Sequence, residues 1–415
     1  MKLPLVAGQR LVIRTGGGVN AHSYNVRCLP ADFPGFGIVA KGAPQAAYYL
    51  LTPTDGRPQL GPPYVVLFDN HGVPIWWYQE LNGVPTNASL LSDGDLAWDL
   101  DSGSLYGYPE TNAIEIRRLD GSLVRTFASA TPSPIDSLEL TQMPSGDFLV
   151  SGYALHQNVN LAAIGEGVGP VLDATFQEIR PDGTAAFSWQ SNGRLTAPES
   201  QRWWFAVTTY AHETKPVWDW QHIDSVAPDA DGYLVSMRDD DAVYLVRRSD
   251  GAIEWKLGGT PTLQSLNVIG TPGVGQLFGG PNDARVLPDG TISVHDNGTF
   301  LSRPPRVLRF EIDPLTRTAT VVQVINGPPA SVSPCCGSAR MLAGGDWVID
   351  WGGTGVMEER AANGALVLRL SFHQPYYSYR AFPVPPGRLS ARRLIVDMDT
   401  MFLHASRNQG GMSAG

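Results

Sequence analysis

Apolar and polar residues alternate in short runs along most of this chain, and the runs are separated by turn residues. The clearest case is Val217–Gly259, VWDWQHIDSVAPDADGYLVSMRDDDAVYLVRRSDGAIEWKLGG. HIDSVAP and GYLVSMR read as two strands around an Asp-Ala-Asp-Gly turn. AVYLVRR and AIEWKLG read as two more around Ser-Asp-Gly. Residues such as Asp-Gly and Asn-Gly accept the positive φ that tight hairpins require. Four antiparallel strands in roughly 40 residues is the size of one β-propeller blade.

The same rhythm recurs. YYLLT with YVVLFDNHGVPIWWYQ predicts a first blade, and SLLSDGDLAWDL with NAIEIRRLDGSLVRTF a second. LELTQMPSGDFLVSGY and TFQEIRPDGTAAFSWQ predict a third, split by a long loop at 154–174. Val217–Gly259 is the fourth. ARVLPDGTISVHDNG with PRVLRFEIDPLTRTATVVQVI gives a fifth, and ARMLAGGDWVIDWGG with VMEERAANGALVLRLSF a sixth. The expected fold is therefore all-β, a six-bladed propeller over 46–372 with short extensions at 1–45 and 373–415. A β-sandwich is the competing architecture. The one helix expected is a short one in LSARRLIVDMDTM, capped by Ser390.

Composition narrows the function without naming it. Gly 45 and Pro 33 fall at regular turns, as many short strands require. A formal net charge of −10 argues against a nucleic-acid surface. No apolar run reaches the length of a membrane span, and MKLPLVAGQRLVIRTGGG lacks the core of a signal peptide, so a cytoplasmic protein or a processed secreted one is expected. Cys28, Cys335 and Cys336 are too few for a disulfide scaffold. Adjacent cysteines rarely bridge, which leaves buried thiols or a bridge from Cys28 to Cys335 or Cys336. No HExxH or CxxC spacing announces a metal, so neither a metal nor a cofactor is expected. The Asp239–Asp241 run lacks the calcium-loop pattern, and RTGGG is not a phosphate loop because no Gly-Lys-Ser/Thr follows.

DWQHIDSV followed by LVSMR and IEWKLGG, together with FGGPNDARVLPDGTISVHDNGT, resembles the arylsulfotransferase family of six-bladed propellers. YNVRCLPADFP, CCGSARMLAGGDWVIDWGG and SYRAFPVPPGRLS are similar to its actinobacterial-type branch. The resemblance spans about Tyr24 to Met401. It implies sulfuryl transfer from an aryl sulfate to a phenol by a ping-pong route through a sulfohistidine, with no nucleotide donor. Such a route suits a neutral imidazole, a good nucleophile, with cationic and amide donors for the charge on the sulfuryl oxygens.

Against that pattern the site is altered. Counting six residues back from each first-half turn proline (Pro228, Pro288, Pro144) gives His222, Asn282 and Leu138, where the resemblance implies three histidines. The implied nucleophile falls on Asn282, whose amide nitrogen lone pair is delocalised and cannot attack. Arg238 matches the implied sulfate-binding arginine, but Asp224 stands where an asparagine is implied and would repel an anion. His222, Asp224 and Arg238 are thus the catalytic candidates. Leu138, Asn282, His295, Trp203 and Trp204 are candidates to bind substrate, with Trp203, Trp204 and Phe205 offering an aryl pocket or an ordinary packed loop. Arg238 has a structural alternative in an ion pair with Asp239, Asp240 or Asp241. His156 and His212 fall in long loops, and His22, His71, His373 and His404 outside the channel pattern. Three functions stay open: acid/base chemistry on an aromatic or anionic small molecule, with secondary metabolism as one setting; residual sulfuryl transfer, directly or through His222 or His295; or binding without catalysis. A monomer is expected in each.

Overall fold

The computed structural model describes residues 9–15, 20–25, 27–55, 63–101, 112–204, 206, 208–209, 217–270, 276–329, 331–390 and 394. The expected helix at the C-terminal end, Phe205, His212 and His404 lie outside or almost wholly outside these. Two units are distinct in the chain: 1–35, which holds a hairpin of Arg10–Thr15 with Asn20–Asn25, and 36–415.

The second unit is a six-bladed β-propeller. Among the described residues its regular elements are strands and short 3-10 turns. No described helix is long and apolar enough to cross a membrane. The innermost strands are Tyr377–Val384, Val84–Leu90, Ile135–Gln142, Ile223–Pro228, Pro281–Val286 and Ser338–Met341, for blades 1 to 6. Each touches the next around a central axis. Buried apolar side chains fill the spaces between blades. Blades 3 and 4, for example, share a cluster containing Leu149, Phe176, Trp189, Tyr233, Val235 and Tyr244.

Two segments outside the predicted 46–372 propeller pair into it. Tyr377–Val384 is the innermost strand of blade 1, beside Tyr48–Thr54, and Phe36–Ala40 is the outer edge of blade 6, beside Leu366–Phe372. Distant parts of the chain thereby close the ring. The predicted loop at 154–174 is also different. It continues the second and third strands of blade 3, Phe148–Asn160 and Val168–Ile179, into a long hairpin paired from Phe148↔Ile179 to Asn160↔Val168. Alternating exposure along Ala154–Asn160 is the mark of a two-faced ribbon. Its small and polar composition is what resembles a loop.

One contact repeats from blade to blade. Glu139 accepts a hydrogen bond from the Val226 amide at 3.1 Å, Ser225 from Ala284 at 3.1 Å, Asp283 from Ala339 at 3.0 Å and Ser338 from Ala381 at 3.1 Å. Glu139, Ser225, Asp283 and Ser338 therefore occupy one repeated place. The residues before them, Leu138, Asp224, Asn282 and Gly337, occupy another. His222 lies two positions earlier, so the count from prolines misaligns blade 4. The reason is local: Pro228 is still a strand residue opposite Tyr233, whereas Pro288 and Pro144 sit inside turns closed by Leu287 and Met143.

At the axis a buried guanidinium joins this ring. Arg380 donates to Asn87 at 3.0 Å, Glu139 at 3.1 Å, Asn282 at 3.1 Å and the Asp224 carbonyl. Asp283 stands 3.8 Å from its Nε. Five blades meet on one side chain. Removing one member of a buried charge network costs about 3–5 kcal/mol, because its partners stay buried without compensation. Arg380→Met is expected to lose stability of that order in urea denaturation, whereas Arg247→Ala, which breaks an exposed pair with Asp250, should change it by less than about 1 kcal/mol.

Candidate functional site

The site forms where the chain enters the innermost strand of blade 4. Trp218-Asp219-Trp220-Gln221-His222 leads into Ile223–Pro228. A register shift between Ile223 and Ser225 marks a bulge at Asp224. Bulges re-aim side chains, and here Asp224 comes to face His222.

His222 is held on both ring nitrogens. Nδ1 lies 2.6 Å from Asp219 Oδ2 and 2.7 Å from the Tyr153 hydroxyl, while Nε2 lies 3.4 Å from Asp224 Oδ1. Burial works against a charge on the ring, but Asp219 and Asp224 overcome it and hold the His222 pKa well above the ordinary histidine value. The imidazolium is the resting form, and it has no lone pair with which to attack. Tyr153, on blade 3, is kept neutral by burial first and Asp219 second.

Asp224 is fixed from the other side. Asn282 Nδ2 donates to its Oδ2 at 3.2 Å, and the Asn282 carbonyl oxygen accepts from Arg380. Asn282 is thus a fully buried link between the axial cation and the site carboxylate.

Arg238 follows the second strand of blade 4, Gly232–Met237, and its amide donates to the His222 carbonyl at 2.7 Å. Its guanidinium donates to Asp239 at 2.8 Å and to the Pro334 carbonyl at 2.7 Å, and lies 4.2 Å from the Trp203 ring centroid. The structural alternative, a pair with the Asp run, is therefore realised with Asp239. The other two aspartates anchor different segments. Asp240 accepts from Tyr244, and Asp241 takes Arg202, the Trp203 indole, Gln276 and the Gly280 amide.

Pro334 begins a loop that carries a second surprise. Cys335 and Cys336 are joined to each other, and Cys28 is an exposed free thiol. This overturns the expectation of buried thiols or a Cys28 bridge. The loop around the bridge is pinned by its carbonyls: Cys336 accepts from Asn297 and Cys335 from Gly353.

The remaining candidates divide. Leu138 is half-buried, its amide on Asp136 Oδ1 at 2.6 Å. Trp203, 1% exposed, ends the 3-10 turn Ala197–Trp203 and packs against Phe300 under Arg202 and Arg238. Trp204 instead meets Trp218, in a cluster with Leu161, Val171, Ala197 and Trp220. His295 lies opposite Asn282 in blade 5, against Trp351, with neither ring nitrogen hydrogen-bonded. Burial lowers its pKa to about 4 and keeps it neutral. The side chains of His222 and Arg238 retain 12% and 17% exposure, whereas Asn282 and His295 retain none.

Sequence reasoning passed over Asp219, Tyr153, Asp136 and Arg380, and took Asp239 only as an ion-pair partner for Arg238. Asp219 stands three residues before His222 within a quoted motif. Arg380 lies within SYRAFPV, where only the closing strand gives it meaning.

The pattern of the family described as Arylsulfotransferase (ASST) matches residues 90–373, more than half of the chain. The chain belongs to the arylsulfotransferase family. No curated protein matches it. Among solved structures, a protein of unknown function from Bacteroides caccae is 12% identical with a TM-score of 0.51, the match covering 82% of this chain and 99% of that one. Virginiamycin B lyase from Staphylococcus aureus is 11% identical with a TM-score of 0.40, over 80% and 88% of the two chains. A putative 6-phosphogluconolactonase from Bacteroides uniformis is 13% identical with a TM-score of 0.44, over 82% and 100%. Likeness at such identity bears on the fold alone. Within this arylsulfotransferase-family scaffold, Asn282 is a buried amide between Asp224 and Arg380.

Asp136 shows the electrical cost of the site. Burial raises its pKa to about 7, with Ser151 and the Leu138 amide pulling it down. An unfolded aspartate titrates near about 3.9. Between these values the native state keeps a proton that the unfolded chain loses, so stability falls as pH rises from about 4 to 7. Asp136→Asn removes this term. The difference in unfolding free energy between variant and wild type should shift by up to about 4 kcal/mol in the variant's favour between pH 4 and pH 8, read by urea denaturation in EDTA.

Proposed function

We propose that this arylsulfotransferase-family protein binds a phenolic small molecule at the blade 4 end of the channel and exchanges a proton with it through His222 and Asp224, without carrying a sulfuryl group on histidine. The observation that carries this reading is the double clamp on His222. Asp219 and Tyr153 hold one ring nitrogen, and Asp224 faces the other. An imidazolium beside a carboxylate is an acid and a base within one hydrogen-bond reach. The Asp224 carboxylate accepts the phenol hydroxyl proton while the His222 Nε2–H stabilises the phenolate oxygen, and the proton returns by the reverse path. Arg238, seated on the buried Trp203 ring, adds a partly exposed cation beside His222 suited to an electron-rich ring.

The family reaction needs an uncharged nucleophile that a sulfate ester can reach. Asn282 is not one, and His222 is protonated. Neutral His295 has the right form but is fully buried. The carboxylates of Asp224 and Asp239 also oppose an anionic sulfate.

Two measurements test the reading. Incubation with 4-nitrophenyl sulfate and phenol should release no nitrophenol; release abolished by His222→Gln or His295→Gln would restore the sulfohistidine route. Titration of 4-nitrophenol in EDTA should shift its visible phenolate absorbance saturably, and Asp224→Asn should remove the shift. A spectrum unaffected by the wild-type protein would sink the proposal.

A further inference from the structure

The carboxylates around His222 outnumber the cations. Asp219 and Asp224 face its two ring nitrogens and Asp239 stands on Arg238, whereas the nearby cations are His222 itself and Arg238. Arg380 is engaged deeper on the axis with Glu139 and Asp283. One oxygen of Asp219, one ring nitrogen of His222 and one oxygen of Asp239 lie within 4.8 Å of one another. Such a span admits a single ion bound by all three.

Unfilled hydrogen-bonding capacity points to the same place. Asp219 is 2% exposed and its Oδ1 has no hydrogen-bond partner, although its Oδ2 is on His222. A buried carboxylate oxygen in this state is costly unless something outside the chain satisfies it. The positions are well supported. Asp219 and His222 share the segment entering blade 4, and Asp239 follows directly on its second strand, where Arg238 braces it.

We propose that Asp219, His222 and Asp239 form a binding site for one divalent transition-metal ion. The donor set, an imidazole with two carboxylates, suits ions such as Mn2+ or Zn2+; magnesium and calcium prefer sets made of oxygen alone. On binding, the ion takes the place of the His222 proton on the Asp219 side of the ring, which leaves to solvent, and gives the Asp219 and Asp239 carboxylates a shared counter-charge. It deepens the reading above and shares His222 with it: an ion on the Asp219 side of the ring leaves Nε2 facing Asp224. Tyr153 adjoins the same ring nitrogen, where its hydroxyl can hydrogen-bond to a liganding carboxylate or to a water on the ion.

The test uses the full chain, stripped with EDTA and dialysed, and titrated with Mn2+ while the free ion is read by electron paramagnetic resonance. One ion per chain is expected, with a rise in Tm that Ca2+ does not reproduce. Asp219→Asn and Asp239→Asn should each weaken binding at least about tenfold, since even residues that merely orient a ligand cost that much. Arg247→Ala on the outer part of the same blade should leave it unchanged. Absence of Mn2+ binding by the wild type overturns the site whatever the variants do. So does binding that both aspartate variants retain at full strength. If either variant does not fold, His222→Gln serves as the ligand deletion. The 4-nitrophenol titration is run in EDTA, so its failure and the failure of metal binding are read separately.

Discussion

A guanidinium buried on the axis of a ring of strands must be neutralised by groups that come from every side. Arg380 meets that condition through Glu139, Asn87, Asn282, Asp283 and the Asp224 carbonyl, drawn from blades 2 to 5. Arg285 and Arg340 then share the negative charge of Glu139 and Asp283, which holds the Asp283 carboxyl below its ordinary range despite its burial. The axis is therefore an alternating lattice of charge. Such a lattice tolerates little displacement, because any member that moves leaves a partner uncompensated in a medium of low dielectric.

The candidate site inherits its geometry from that lattice. Asn282 faces Arg380 with its oxygen and Asp224 with its nitrogen, so the amide passes the orientation of the axis outward. An amide suits the position because it offers an acceptor and donors at once and carries no charge of its own. Asp224, so aimed, meets His222, and His222 is aimed in turn by Asp219 and Tyr153. Family membership supplies the scaffold. The alternation of charge along this line of side chains accounts for why the imidazole is cationic.

Much of the architecture was legible in the sequence, because blades are local objects. Asp-Gly and Asn-Gly turns and two-residue alternation mark each hairpin within a few tens of residues, and all six units appear. The closing strand was not legible. Tyr377–Val384 pairs with Tyr48–Thr54 across more than three hundred residues, and no local pattern encodes a partner so distant. Site residues were legible only in part for the same reason. His222, Asp224 and Arg238 stand in one blade and could be read together, whereas Tyr153 and Arg380 reach them from other blades. The count that equated His222 with Asn282 failed on turn geometry, because a proline can end a strand, as Pro228 does, or begin a turn, as Pro288 does. The Cys335–Cys336 bridge runs against the general reluctance of neighbouring cysteines to join.

Arg380 is made later than every residue it binds at the axis. Glu139, Asp224, Asn282 and Asp283 all emerge well before it, and each needs it. A ribosome that has reached the end of blade 5 has delivered Glu139 and Asp283 with Arg285 between them, but not the guanidinium that also joins Asn87, Asn282 and the Asp224 carbonyl. The propeller cannot mature one blade at a time from its beginning. Its centre is completed by the arrival of a single late strand, and the aim of Asp224 and His222 is completed in the same event.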